Sequence, residues 1–245
     1  MTDAHKHLGC SSGPATYAHR VSPAQRLPKL PRIPEVLATA AKLSLDDEAV
    51  FSDIALGGDF AGQKHEDVVF ERCRVSNGAF TGSELHRLRL TDVVVENTDL
   101  SGADLDESSF NRVQFRDCRM SAVILTRCRL VDVIITNCRL DQANLRMLHA
   151  KSVTFEDVDL SEGDFYAAVL ENTRFFDCNL TGSEFSQASM EEVRFHGSNL
   201  LDLKGGQYLG GSTIETGQVL SVALGVLSAL NIQVDDDREA AVKRR

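Results

Sequence analysis

The chain carries 6 cysteines and 7 histidines, the residue types from which metal centres and nucleophilic sites are built. Cys73, Cys118, Cys128, Cys138 and Cys178 lie multiples of five residues apart and no CxxC pair occurs, so the close ligand pairs of a zinc site are missing. Cys10 stands outside that spacing and reads as an exposed thiol. The carboxylate pairs Asp104/Asp106 and Glu191/Glu192 have the residue types for acid–base work. Gly217 and Gly225 do not complete a GxGxxG, and no glycine-rich phosphate loop is present. His5 and His7 have a spacing that chelates a metal loosely; a solvated arm is the other reading of that segment. The expectation is a protein with no catalytic residue, no cofactor site and no metal site.

The element that positions these residues is a five-residue period. From Phe70 to Leu200 every fifth residue is apolar without exception, over 27 consecutive pentads. With 42% of the chain hydrophobic, independent draws would give that run about once in 10¹⁰. The column two residues earlier is small or β-branched: eight Val, five Cys, four Ser, four Ala, two Gly, two Thr and two Leu. A helix would smear a five-residue step around its axis, and a straight strand would flip it to the opposite face. The chain must therefore run extended and change direction within each pentad, winding into a coil with both columns inside. Five of the cysteines then become small interior hydrophobes. His65, His86, His149 and His196 fall at different pentad positions, and the carboxylate pairs occupy outer positions, where solvated charges belong.

Pentads such as Ala103-Asp104-Leu105, Thr98-Asp99-Leu100, Ala143-Asn144-Leu145 and Cys178-Asn179-Leu180 resemble the A-(D/N)-(L/F)-x-x units of the pentapeptide repeat family. The resemblance covers somewhat over half of the chain. It implies an all-β solenoid, a right-handed quadrilateral β-helix with four pentads per coil. On that count the 27 pentads make nearly seven coils, a rod about 30 Å long at the strand spacing. Phe70, Leu105, Phe115, Ile135, Phe155, Phe175 and Phe195 are the expected core, and Cys118 stacks on Cys138 one coil away. Each coil buries its apolar residues only against its neighbours, so both ends need caps.

Along the chain, residues 1–34 hold all 5 prolines and read as a disordered arm, neither signal peptide nor membrane anchor. Residues 35–65 read as an N-terminal cap and an irregular first coil, with helical composition over Glu35–Ser44 and His65 at a central position. Residues 66–214 are the β-helix, with a last strand around Tyr208–Ile214. Residues 215–234 form a helix, with Ser212 and Glu215 at capping-box spacing, that covers the open end or joins two copies through residues 216–230. Residues 235–245 are a polar tail.

Without insertions the coils offer no cleft, so binding must use the outer surface. The net charge of −10 and pI near 5.2 argue against broad nucleic-acid binding. Residues 84–107 hold seven acidic side chains against two Arg, and residues 151–192 hold ten against Lys151 and Arg174. Between them lie Arg112, Arg116, Arg119, Arg127, Arg129, Arg139 and Arg146 with only three Asp, a basic belt that is the candidate interaction surface; ordinary solubilising charge is the other reading. The leading expectation is a non-enzymatic cytoplasmic scaffold that binds a protein partner. The family resemblance implies a second reading, an acidic DNA-mimicking rod that modulates DNA gyrase. The arginine belt interrupts the continuous negative charge that duplex DNA presents.

Overall fold

The change of direction demanded by the five-residue period falls on one residue per pentad. From Asp67 to Asp202 every fifth residue has a positive φ, between 47° at Asn172 and 71° at Gly182. Left-handed backbone disfavours L-residues, β-branched ones most, and none of these positions holds Val, Ile or Thr. Asp, Asn and Gly, which tolerate it best, fill half of the column.

In a computed structural model describing residues 26–39 and 44–234, these corners wind the chain into a right-handed quadrilateral β-helix, a parallel solenoid of about 9 turns with a single C-terminal helix. Successive coils pair in parallel at a 20-residue register, as in Leu90, Phe110, Leu130 and Ala150 on the first face. The second face carries Val95, Phe115, Ile135, Phe155 and Phe175 in register. Eight-residue strands (Arg89–Glu96, Ser109–Arg116, Arg129–Thr136, His149–Glu156) run across both faces and bend at Asp92, Arg112, Asp132 and Ser152.

Beyond the first coils the third and fourth faces are held by single bridges and tight turns, such as Ala103 N–H to Leu100 O at 3.0 Å. There the side chain before the central residue closes the turn. Asp99, Asp104, Asp159, Asp164 and Asn179 each accept the backbone N–H two residues on, at 2.9–3.2 Å. The carboxylate pair Asp104/Asp106 is one of these turns, with Asp104 accepting from the Asp106 N–H.

Phe70, Leu105, Phe115, Ile135, Phe155, Phe175 and Phe195 are all buried. Phe155, Phe175 and Phe195 stack in a column with ring centroids 4.9 and 5.0 Å apart and planes within 6°. That spacing equals the rise between coils, so each ring packs face to face on the ring one coil away.

The first coil is irregular. Phe51 pairs with Phe70 across 19 residues, whereas Gly58 pairs with Gly78 across 20, and the register shifts between Leu56 and Gly58. Gly57 sits in that gap, where a Cβ would lie 2.3 Å from Ser76 O. His65 does hold a central position, in register with Leu85, and its Nδ1 is 3.4 Å from the Asp47 carboxylate.

Two expectations at the N-terminus require correction. No helix forms within the described part of Glu35–Ser44; Ala38–Thr39 is a two-residue strand paired with Ile54–Ala55, because the open edge of the first coil needs backbone partners that a helix cannot give. Residues 26–34 do not form a solvated arm. They lie extended along the corner between the first and second faces, tied by hydrogen bonds to Asp92, Asp132, Asn172 and Arg174. The rest of the expected arm, residues 1–25, lies outside the described residues, as does the tail 235–245.

At the other end a 3₁₀ turn (Gly206–Tyr208) precedes a short strand, Ser212–Thr213, paired with Val193–Arg194. The capping box is Glu215 with Gln218, not Ser212 with Glu215. The reason is a second task for Gln218: its amide Nε2 donates to Phe195 O and Ser198 O, the second at 2.7 Å, carbonyls that a further coil would otherwise satisfy. Helix α1 (Val219–Ala229) then crosses the end of the solenoid. Its Gly225 passes so near Leu203 that a Cβ would meet Leu203 O at 2.8 Å.

Leu105→Glu or Phe155→Asp places a charge in the dry core, where both parent side chains are fully buried. Each variant is expected to lose the β-structure signal of neighbouring coils in circular dichroism. A wild-type spectrum in either one would contradict this interior.

Candidate interaction surface

The seven arginines of the expected belt are distributed over all four faces. Arg116 is on the second face beside Gln114, whose Oε1 accepts from Nη2 at 2.9 Å. Arg119 and Arg139 are bridge partners on the third face, with Arg139 3.8 Å from Asp141 and Arg119 attracted to Asp99. Arg146 on the fourth face binds Asp164 at 2.8 Å and lies 4.2 Å above the Tyr166 ring. Arg129 stands on the first face between Ser109 and His149 in the register. Arg112 and Arg127 occupy corners. The belt therefore does not converge on one patch, because each 20-residue coil carries adjacent sequence positions to different sides of the rod.

What the charges build is a ladder between coils. Arg112 holds Asp92 with two bonds of 2.6 Å. Arg72 holds Asp53 in the same way, Arg87 holds one oxygen of Asp67, and Arg127 holds Glu107 through one bond of 3.1 Å, each one coil apart. Lys64–Glu84 and Lys151–Glu171 repeat the motif at 2.6 Å each. Asn179 donates to Asp159 at 3.0 Å as a neutral rung. No outward column of the described residues carries acidic side chains on three successive coils. Such exposed pairs contribute little to stability. Their effect is on register, since a slipped coil would oppose like charges.

The carboxylates of the ladder are shifted accordingly. Hydrogen bonds from Arg72 and Arg87 hold Asp53 and Asp67 below the usual carboxylate range. Burial would raise Asp92, but the Arg112 guanidinium and the Arg32 N–H outweigh it and hold Asp92 low as well.

Four of the five described thiols are pushed up, and only Cys118, through its contact with Cys138, is lowered. Burial pushes the Cys128 and Cys178 thiols up to about 12. Cys138 donates no reactivity either: its contact with Cys118, together with burial, pushes its thiol up. Among the described residues no group of three or more His, Cys, Asp or Glu is placed to hold a metal. His65, His86, His149 and His196 do not come together, since only the first two share a face. No helix of the described residues is long and apolar enough to cross a membrane.

Sequence reasoning missed one surface feature, the strap formed by residues 26–34. At the C-terminal end, where the sequence offered residues 216–230 as a contact, Val219, Leu220, Leu224 and Leu230 are exposed, with Leu201 and Tyr208 on the last coil.

Corners, stacked pentads and turn-closing Asp and Asn side chains define a pentapeptide solenoid. The pentapeptide repeat region matches residues 64–145 and 128–204, and the chain belongs to the pentapeptide repeat family. Among solved structures it is similar to a trypsin-treated form of QnrB1, a plasmid-mediated fluoroquinolone resistance protein, at 23% identity over 78% of this chain and 99% of that one, with a TM-score of 0.40. A pentapeptide repeat protein from the Arabidopsis thaliana thylakoid lumen aligns at 25% identity over 37% of this chain and 63% of its own, with a TM-score of 0.35. HetL, involved in heterocyst differentiation regulation in the cyanobacterium Nostoc sp. strain PCC 7120, aligns at 14% identity over 70% and 91%, with a TM-score of 0.30. No curated protein matches the sequence.

Two measurements check this chemistry. Titration with a maleimide in native buffer is expected to modify at most Cys10, and all 6 cysteines once the chain is denatured. Because Asp53, Asp67 and Asp92 are depressed in the fold, their stabilisation is full above the unfolded carboxylate pKa of about 3.9 and is lost as pH falls through the lower folded values. The urea midpoint should fall between pH 5 and pH 3, and Asp92→Ala, which strands Arg112, should cost about 1–3 kcal/mol at pH 7 and flatten that dependence.

Proposed function

We propose that the protein is a non-enzymatic cytoplasmic scaffold that binds a protein partner through the C-terminal end of the rod. One observation carries the reading. The outward positions of the coils are mostly polar or charged, whereas α1 leaves Val219 (52%), Leu220 (70%) and Leu224 (43%) exposed on a single short helix, with Leu230 beside it. An apolar patch of that kind marks a protein contact. The partner is a second copy of the chain through residues 216–230, or another protein. A DNA-mimicking action on gyrase has less support. The arginines from Arg112 to Arg146 divide the acidic zones on every face, so no face offers the unbroken negative charge of a duplex.

A photo-crosslinking residue placed at Leu220 is expected to give one discrete adduct in cells, and the same residue at Thr181 on the side of the rod none. Loss of the Leu220 adduct, or equal labelling from both positions, would sink the reading. Sedimentation of the wild type beside Leu220→Glu distinguishes a second copy from a different partner. In a purified gyrase supercoiling assay with and without quinolone, a stoichiometric excess of the protein should change nothing; protection would replace this reading with the gyrase one.

A further inference from the structure

Residues 26–34 occupy a groove, and the fit between the two has a geometric basis. Asp92 Oδ1 accepts the Arg32 N–H at 2.9 Å, while the Arg26 carbonyl accepts from Asn172 Nδ2 at 2.7 Å and Arg174 Nη2 at 2.8 Å. Six residues of strap therefore span the four coils from Asp92 to Asn172. Four coils rise about 19 Å at the strand spacing. Six residues of polyproline II rise about 18.6 Å, so one three-residue turn of such a peptide matches two coils. Pro28, Pro31 and Pro34 recur at that three-residue period, which puts them on one side of the extended peptide, and their missing N–H groups need no partner. Pro28, Pro31 and Ile33 are partly buried.

The groove floor is built to be covered. Asp92, Asp132 and Arg174 are 7%, 4% and 4% exposed, although all three stand at outward positions of their pentads. Val94 and Thr154, also outward, are 4% and 8% exposed. Asp132 receives Arg26 Nη2 on both oxygens at 3.1 Å, and Asn172 Nδ2 also holds Ser152 Oγ at 2.9 Å. Carboxylates two coils apart thus meet groups six residues apart on the strap, with Arg112, bound to Asp92, in the register between them.

We propose that this corner is a recognition groove for an extended, proline-rich segment carrying arginine, and that residues 26–34 are its built-in occupant, exchanged for a partner's segment of the same chemistry. The proposal names a partner class for the scaffold and rests on that reading. The side chains of Leu27 and Leu30 remain 73% and 61% exposed, so the strap is held by the Arg26 guanidinium, its prolines and its backbone, features that another peptide can reproduce. Tethering gives the strap an effective concentration in the millimolar range, which a partner overcomes only by binding more tightly or by displacing the Arg26 end first.

The test uses the full chain. A strap-released variant carries Arg26→Ala, Pro28→Gly and Pro31→Gly; a groove variant adds Asp92→Asn and Asp132→Asn. The probe is a fluorescein-labelled synthetic peptide of residues 24–36, read by anisotropy. The released chain should bind it at least about tenfold more tightly than the wild type, whose groove is filled, and the groove variant should lose that factor. Trypsin should cut after Lys29 about tenfold faster in Asp132→Asn than in the wild type.

Equal peptide affinity in wild type and released chain overturns the proposal, as does no binding by a released chain with a wild-type circular dichroism spectrum. A released chain that loses its β-structure also overturns it, making residues 26–34 a fixed stave. A wild-type dimer that the peptide dissociates would assign the strap to a second copy and overturn the built-in occupancy. None of these outcomes bears on the Leu220 adduct, so failure of the groove and failure of the scaffold are separable.

Discussion

The left-handed corner is the constraint on which the rest of the molecule depends. A residue at φ near 55° every fifth position turns an extended chain through a right angle four times per coil, and the 20-residue repeat follows from that. Once the coil closes, the central column and the column before it share a narrow interior in which only one large and one small side chain fit per pentad. The Phe155–Phe175–Phe195 stack and the buried cysteines are two consequences of the same geometry. Deleting a buried Phe costs about 3–5 kcal/mol, well above what an exposed ion pair contributes. The core therefore holds the rod together, and the charged ladder selects which coil faces which.

That division decides how function can be placed on such a fold. The sides of the rod are largely committed to self-complementarity, because many of their Arg and Lys side chains already answer an acid on the next coil, as Arg112 does Asp92 and Lys151 does Glu171. Surface not committed in this way is found where the repeat ends or is covered: at α1, where no further coil exists to bury Leu220, and at the corner covered by residues 26–34. Gln218 marks the first of these places, since its side-chain amide answers the last open carbonyls and stops the stack.

The interior was legible because its signal is local and repeated; Phe70 to Leu200 never breaks phase. The corners were legible in principle as well, through the absence of β-branched residues from the column Asp67 to Asp202. Even the difference between faces is written at a spacing of 20, with turn-closing Asp and Asn before the central residue on the third and fourth faces and none there on the first two. The arginine belt was legible as a zone along the rod and not as a patch, because charge counted along the chain mixes four sides of a rod. Residues 26–34 were misread because proline signals an absence of helix and sheet, which a docked extended segment shares with a disordered one. Their partners, up to 148 positions away, leave no local trace. The helix expected at Glu35–Ser44 failed for the ordinary reason that an unpaired sheet edge outranks intrinsic propensity.

The placement of the strap also fixes an order of events during synthesis. Arg26 leaves the ribosome 146 residues ahead of Asn172, whose amide closes the upper end of the groove. At 5–20 residues per second that interval is about 7–30 s. Throughout it the lower coils can form while residues 26–34 have nowhere complete to dock. Until Asn172 and Arg174 have emerged, the strap can meet only the lower part of its corner, through Arg32 at Asp92.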